Sequence, residues 1–149
     1  MDHTTDVIVE LVDGLSAEAL PQRVLHETKR RLVDSLGCAI GAIDAPPARI
    51  ARGLAADVTS ALPSTVIGLR RPTSIELATF ANTAMVRYLD YHDMYFSPAG
   101  AGGHPSDLIP CVLAVGEAIG ARGSDVLLAT VTAYEVNGVL AAAAWLRQR

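Results

Sequence analysis

Between Leu89 and Asp107 the chain reads LDYHDMYFSPAGAGGHPSD, which gathers three aspartates and two of the four histidines. Three kinds of chemistry suit these residue types. A glycine-rich connection between helices collects Asp, Ser and Tyr because turns favour them, and Asp90 and Asp93 would then only cap carbonyls or solvate a loop. A metal reading counts Asp90, His92, Asp93, His104 and Asp107 as donors, and a His–Asp pair on a helix resembles helical metal-dependent phosphohydrolases. Such sites draw further histidines from other helices, and only His3 and His26 remain. The ligand set is incomplete, so no metal is expected.

The third reading is acid–base chemistry. Asp90 and Asp93 stand three apart, which places them on one face of a helix as it ends. His104 follows the AGAGG run and precedes Pro105, two positions before an expected helix start at Ser106. A helix start presents free N–H groups and partial positive charge to a substrate carboxylate. Histidine is the side-chain type able to exchange a proton near neutral pH, and a neighbouring carboxylate would tune it. The motif by itself leaves loop and active site both open.

The elements that must position this stretch are helical. A short helix is expected over Asp6 to Asp13, stopping at Gly14. A second opens at Pro21 and carries Val24, Leu25, Thr28, Leu32, Leu36, Ala39, Ile40 and Ile43 at three-four spacing. Pro47 opens a third with Ile50, Leu54 and Val58 facing inward, and STVIGL, residues 64–69, is a short strand or hairpin. Thr73 to Glu76 has capping-box spacing and begins a fourth helix through Leu77, Ala81, Met85 and Leu89. Ser106 caps a fifth that runs to about Ile119, and Ser124 caps a sixth that runs to about Arg147. Short links between such helices predict an all-α antiparallel bundle of about six helices in one domain.

Composition narrows the class. Half of the 149 residues are apolar and 19 % are charged, which excludes a disordered chain. A net charge of −4 with no dense basic patch argues against nucleic acid; Lys29-Arg30-Arg31 reads as a solvated helix face, Glu135, Asn137 and Tyr134 as packing, and Cys38 and Cys111 as buried reduced thiols. Glu117, Glu135 and Asn137 interrupt the long apolar runs, so no membrane span is expected and a cytoplasmic location is. The terminal helices are apolar enough to need a partner, and the four alanines before Trp145 suit a close dimer contact.

RYLDYHDMY and GGHPSD, followed by LAVGEAIGARGSDVLLATVTAYEV, resemble the MmgE/PrpD family, as do LVDSLGCAIGA and STVIGL earlier in the chain. The likeness runs from about Asp6 to Arg149. It implies a cofactor-free lyase with a large helical domain and a smaller lid, often dimeric, acting on a small carboxylate substrate. Asp90 and His104 match active-site residues of the family motif, and Asp93 matches its later aspartate. Met94 stands where the family commonly has a threonine that could bond a substrate carboxylate. His92 replaces the usual Asn or Asp, and Leu108 replaces a frequent Asn. Asp93, Met94 and Ser106 are the expected substrate-binding positions. The family's second active-site histidine, its lid, and a later lysine and tyrosine are absent, so residues 1–149 correspond to the N-terminal portion of the helical domain. The implied reaction is dehydration of a 2-methylcitrate-like hydroxy tricarboxylate, incomplete or inactive in this chain alone. The alternatives are a non-catalytic helical subunit that pairs with a partner chain, and the phosphohydrolase.

Overall fold

The computed structural model describes residues 3–97 and 102–143. Six helices carry the fold: α1 (His3–Asp13), α2 (Gln22–Gly41), α3 (Pro46–Ala55), α4 (Ile75–Tyr88), α5 (Ile109–Ala118) and α6 (Gly123–Ala143). Two antiparallel ladders of two residues per strand accompany them, β1 (Pro63–Ser64) with β2 (Thr73–Ser74), and β3 (Tyr95–Phe96) with β4 (Gly102–Gly103). The all-α expectation holds. The continuation of α6 towards Arg147 and the contact expected near Trp145 lie outside the described residues.

Helix α4 is central and packs on α2, α3 and α5. The core is built of small residues: Ala39, Ala42, Ala48, Ala51, Ala55, Ala78, Ala81 and Ala114 are all buried, with Met85, Val66 and Val86 filling between them. Alanine lets helix axes approach closely, and this reverses one expectation. On α3 the inward stripe is Ala48, Ala51 and Ala55, while Ile50 and Leu54 are 66 % and 59 % exposed. Both sets have helical spacing, and the large residues occupy the outer one. On α2, Ile40 of the expected stripe is likewise exposed, whereas Thr28 and Ala39 of that stripe are buried and Ser35 and Cys38 are buried beside them.

Segment 64–69 is mostly not a strand, because its polar groups are taken by side chains rather than by a neighbouring ladder. Asn82 of α4 accepts from the Ile67 N–H at 2.9 Å and donates to the Thr65 carbonyl at 2.9 Å. Glu117 of α5 accepts from the Thr65 N–H and hydroxyl, and Ser64 Oγ donates to the Ala114 carbonyl. Only Pro63 and Ser64 pair, with Ser74 and Thr73.

The caps also shift. Ser74 is the cap of α4 and accepts from the Leu77 N–H, one residue later than the expected box. Helix α6 starts at Gly123, which puts Ser124 inside the first turn; Asp125 instead reaches back to the Arg122 N–H at 3.1 Å. Cys111 is exposed and only Cys38 is buried.

Among the described residues, α6 alone is long and apolar enough to cross a membrane, at mean hydropathy 1.5, with 17 % of its most apolar stretch buried. Its buried positions, Thr130 and Val131 among them, lie beside the candidate site.

Candidate active site

The described parts of the stretch from Leu89 to Asp107, residues 89–97 and 102–107, do not continue the helix. Helix α4 stops at Tyr88, and Asp90 adopts a left-handed backbone, φ 55°, just beyond the Leu89 cap. Aspartate tolerates this conformation better than most residues, so it ends a helix much as glycine does. Asp90 and Asp93 therefore do not share a helix face. The chain then turns into β3, and the register Tyr95 with Gly103 delivers His104 back beside Asp93. The hairpin needs Gly102, since a Cβ there would lie 2.5 Å from the Tyr95 carbonyl oxygen.

After His104, residues Pro105–Leu108 form a single 3-10 turn, and α5 begins at Ile109 with Pro110 in its first turn. Ser106 lies inside that 3-10 turn and does not cap a helix; it is 1 % exposed. Its N–H at 3.2 Å and its hydroxyl at 2.5 Å both donate to Asp93 Oδ1.

Asp93 is the hub. Its carboxylate is 5 % exposed, and besides Ser106 it accepts from the Tyr134 hydroxyl of α6 at 2.7 Å, with the Arg31 guanidinium of α2 at 3.7 Å. Its backbone carbonyl oxygen lies 2.6 Å from His104 Nδ1. A carbonyl only accepts, so Nδ1 carries the hydrogen and the lone pair of the neutral ring is on Nε2. Asp90 Oδ1 lies 3.9 Å from that nitrogen. The site thus holds one oriented imidazole, one exposed carboxylate facing its free nitrogen, and one buried carboxylate holding the frame.

Two members of the frame lay hidden in the sequence. Tyr134 looked like packing, yet a hydroxyl on a largely apolar helix must find a partner once buried. Burial, reinforced by the hydrogen bond to Asp93, pushes its ionisation far up, so it remains a neutral donor. Arg31 looked like part of a solvated face. It bridges Glu27, at 2.7 Å, and Asp93. Arg30 hydrogen-bonds Glu27 from the solvent side, and this bond above all, with Arg31 adding its charge, holds the Glu27 carboxyl at about 2.

Met94 is half exposed and, with Arg23, Glu27, Arg31, Asp93 and Tyr134, lines a cavity of about 390 Å³. His92 is buried, with Arg87 Nη1 3.3 Å and Asp107 Oδ1 3.2 Å from its Nε2, while its Nδ1 has no hydrogen-bond partner. Its ring centroid lies 4.5 Å from that of His104. Of the expected site residues, Asp90 and His104 face each other, Asp93 and Ser106 bond each other, and Met94 stands on the cavity side.

Residues 6–149 match the MmgE/PrpD N-terminal domain. The chain belongs to the MmgE/PrpD family. It is 30 % identical over 152 residues to the 2-methylcitrate dehydratase of Escherichia coli K12, covering 90 % of this chain. It is 31 % identical over 153 residues to the enzyme of that name from Cupriavidus necator, and 33 % over 156 residues to the 2-methylcitrate dehydratase-like protein oryR of Aspergillus oryzae. In each case the chain spans 30 % of the relative's length. The MmgE/PrpD match includes the whole stretch from Leu89 to Asp107, and the hub at Asp93 lies within it.

Proposed function

We propose that this chain supplies part of the active site of a dehydratase that eliminates water from a 2-methylcitrate-like hydroxy tricarboxylate. The observation that carries this reading is the oriented His104, with Nδ1–H held by a backbone carbonyl and Nε2 free opposite Asp90. The family and the names of the relatives support the reaction class. In the elimination, a proton leaves the carbon α to a carboxylate and its electron pair forms the C=C bond. The C–O bond on the neighbouring carbon breaks, and the departing hydroxide takes a proton to leave as water. His104 Nε2 serves one of the two proton transfers, and Asp90 faces that nitrogen to orient it.

Further acid–base groups come from the length of protein that the relatives have and this chain does not span. That further length, or a second copy, covers the exposed apolar residues of α3 and α6. The location is the cytoplasm. Met94 offers a thioether where a hydroxyl would bond a substrate carboxylate, and this biases the site towards a less polar substituent at that point.

The test is dehydration of 2-methylcitrate, with hydration of 2-methylaconitate as the reverse assay, in the protein as encoded and in its His104→Ala variant. The variant is expected to lose roughly 10² to 10⁴ in rate. Turnover within a few-fold of the parent would refute the role of His104.

A further inference from the structure

We propose that His92 is a positioning residue for the pair Asp90 and His104: its Nδ1–H receives the Asp90 carboxylate when His104 takes up a proton. The tautomer follows from two contacts. Arg87 Nη1 lies 3.3 Å from His92 Nε2, and a guanidinium only donates, so Nε2 accepts and the hydrogen of the neutral ring is on Nδ1. Asp107 Oδ1, although 3.2 Å from the same nitrogen, has no hydrogen-bond partner, as this tautomer requires. The Nδ1–H is therefore a donor without an acceptor, on a side chain that is 0 % exposed. Such a group keeps its desolvation cost until something accepts from it.

The acceptor in reach is Asp90. One nitrogen of each ring and one Asp90 oxygen lie within 4.8 Å of one another, and the rings stack with centroids 4.5 Å apart and planes inclined by 30°. In the resting site Asp90 Oδ1 stands 3.9 Å from His104 Nε2, beyond hydrogen-bond range, and the neutral ring has only a lone pair to offer it. Protonation of Nε2 replaces that lone pair with an N–H and draws the carboxylate in; the Asp90 side chain is 70 % exposed and turns on a backbone held at φ 55°. A carboxylate has two oxygens, so one accepts from His104 Nε2–H and the other from His92 Nδ1–H. The second bond fixes the negative charge against the imidazolium as the proton arrives, which lowers the barrier. At the far nitrogen of His92, Arg87 and Asp107 stand 3.5 Å apart and offset each other's charge. This role rests on the proposed function, in which His104 Nε2 is the nitrogen that reacts.

The experiment combines ¹⁵N spectra of the histidine rings with turnover in the protein as encoded. The neutral His92 ring is expected to carry its hydrogen on Nδ1. That N–H signal is expected to move as acidification protonates His104, in the parent but not in Asp90→Ala. His92→Leu is expected to lower kcat about ten- to a hundredfold with KM changed by less than about threefold, because a hydrogen bond to a charged group is lost only in the reacting state. His92→Asn, whose amide N–H stands as many bonds from the backbone as Nδ1–H, is expected to restore turnover to within a few-fold of the parent. Circular dichroism establishes that both variants fold. A neutral ring with its hydrogen on Nε2, a His92 signal that moves unchanged in Asp90→Ala, or equal losses in His92→Asn and His92→Leu would overturn the role. If the signal behaves as expected but His104→Ala turns over like the parent, the contact stands and the reading of His104 as the reacting group falls.

Discussion

Removing the carboxylate of Asp93 should destabilise the whole loop, and the cost follows from its partners. In Asp93→Ala the Ser106 N–H, the Ser106 hydroxyl and the Tyr134 hydroxyl all lose a charged acceptor at a position that is 5 % exposed. Hydrogen bonds to charged groups contribute about 1.5–3 kcal/mol each, and stranded buried donors keep their desolvation cost. Part of the loss is recovered as Tyr134 and Arg31 turn towards solvent, so the net cost is about 3–5 kcal/mol. For a domain of this size each kcal/mol shifts the melting temperature by about 2–4 °C, which predicts a fall of roughly 6–20 °C. Asp93→Asn keeps one oxygen for Ser106, and the Tyr134 hydroxyl can turn to accept from the amide, so about 1–2 kcal/mol is expected. Tyr134→Phe removes one charged bond, about 1.5–3 kcal/mol. The assay is urea unfolding of the three single variants and of the Asp93→Ala/Tyr134→Phe double variant. Because the two residues share one bond, the double variant should fall short of the sum of its singles by 1 kcal/mol or more. A loss below about 1 kcal/mol in Asp93→Ala, or strict additivity, would refute the hub.

The other expectations are simpler. Asp90→Gly should be near neutral in stability and Asp90→Ala should cost about 1 kcal/mol, since φ is 55° there; equal stabilities would argue against the left-handed turn. Asn82→Leu leaves the Ile67 N–H and the Thr65 carbonyl without their partner, and a loss of about 2–4 kcal/mol in urea unfolding is expected. On alkaline titration, Tyr134 should remain protonated through the range near 10 where an exposed phenol ionises. Its folded value is raised, so the stability it contributes is complete below pH 10 and declines above it; a phenol titrating at pH 10 with the fold intact would contradict the buried bond. Cys111 should react with a thiol reagent at once and Cys38 only on unfolding, because burial also raises the Cys38 thiol.

Helix number, order and approximate bounds were legible because Gly14, Pro21 and Pro47 punctuate a strong three-four pattern. The facing of α3 was not. Ala48, Ala51 and Ala55 carry too little apolar weight to outvote Ile50 and Leu54, although small side chains are what allow α3 to lie close on α4. The motif from Leu89 to Asp107 contains side chains that the structure brings together, but its local geometry was hidden. Spacing suggested a helix through Asp90, whereas the helix stops at Tyr88 and Asp90 takes a left-handed backbone with φ 55°. Arg31 and Tyr134 were missed for a related reason: they are far in sequence from Asp93, and only packing of α2 and α6 against the loop brings them to one carboxylate.

The separation of tasks between Asp90 and Asp93 has a physical logic. The proposed dehydration needs a histidine that keeps one nitrogen fixed while the other reacts, and a backbone carbonyl is a steadier anchor than a mobile side chain. The carbonyl of Asp93 is itself immobilised by its own carboxylate, which ties the loop to α2 through Arg31, to α6 through Tyr134, and to the turn before α5 through Ser106. Orientation of His104 is therefore linked to the packing of three helices, while Asp90, exposed and unburdened by such bonds, is free to respond to whatever occupies Nε2. Mutations at Arg31 or Tyr134 should accordingly disturb turnover and stability together. Mutations at Asp90 should disturb turnover far more than stability.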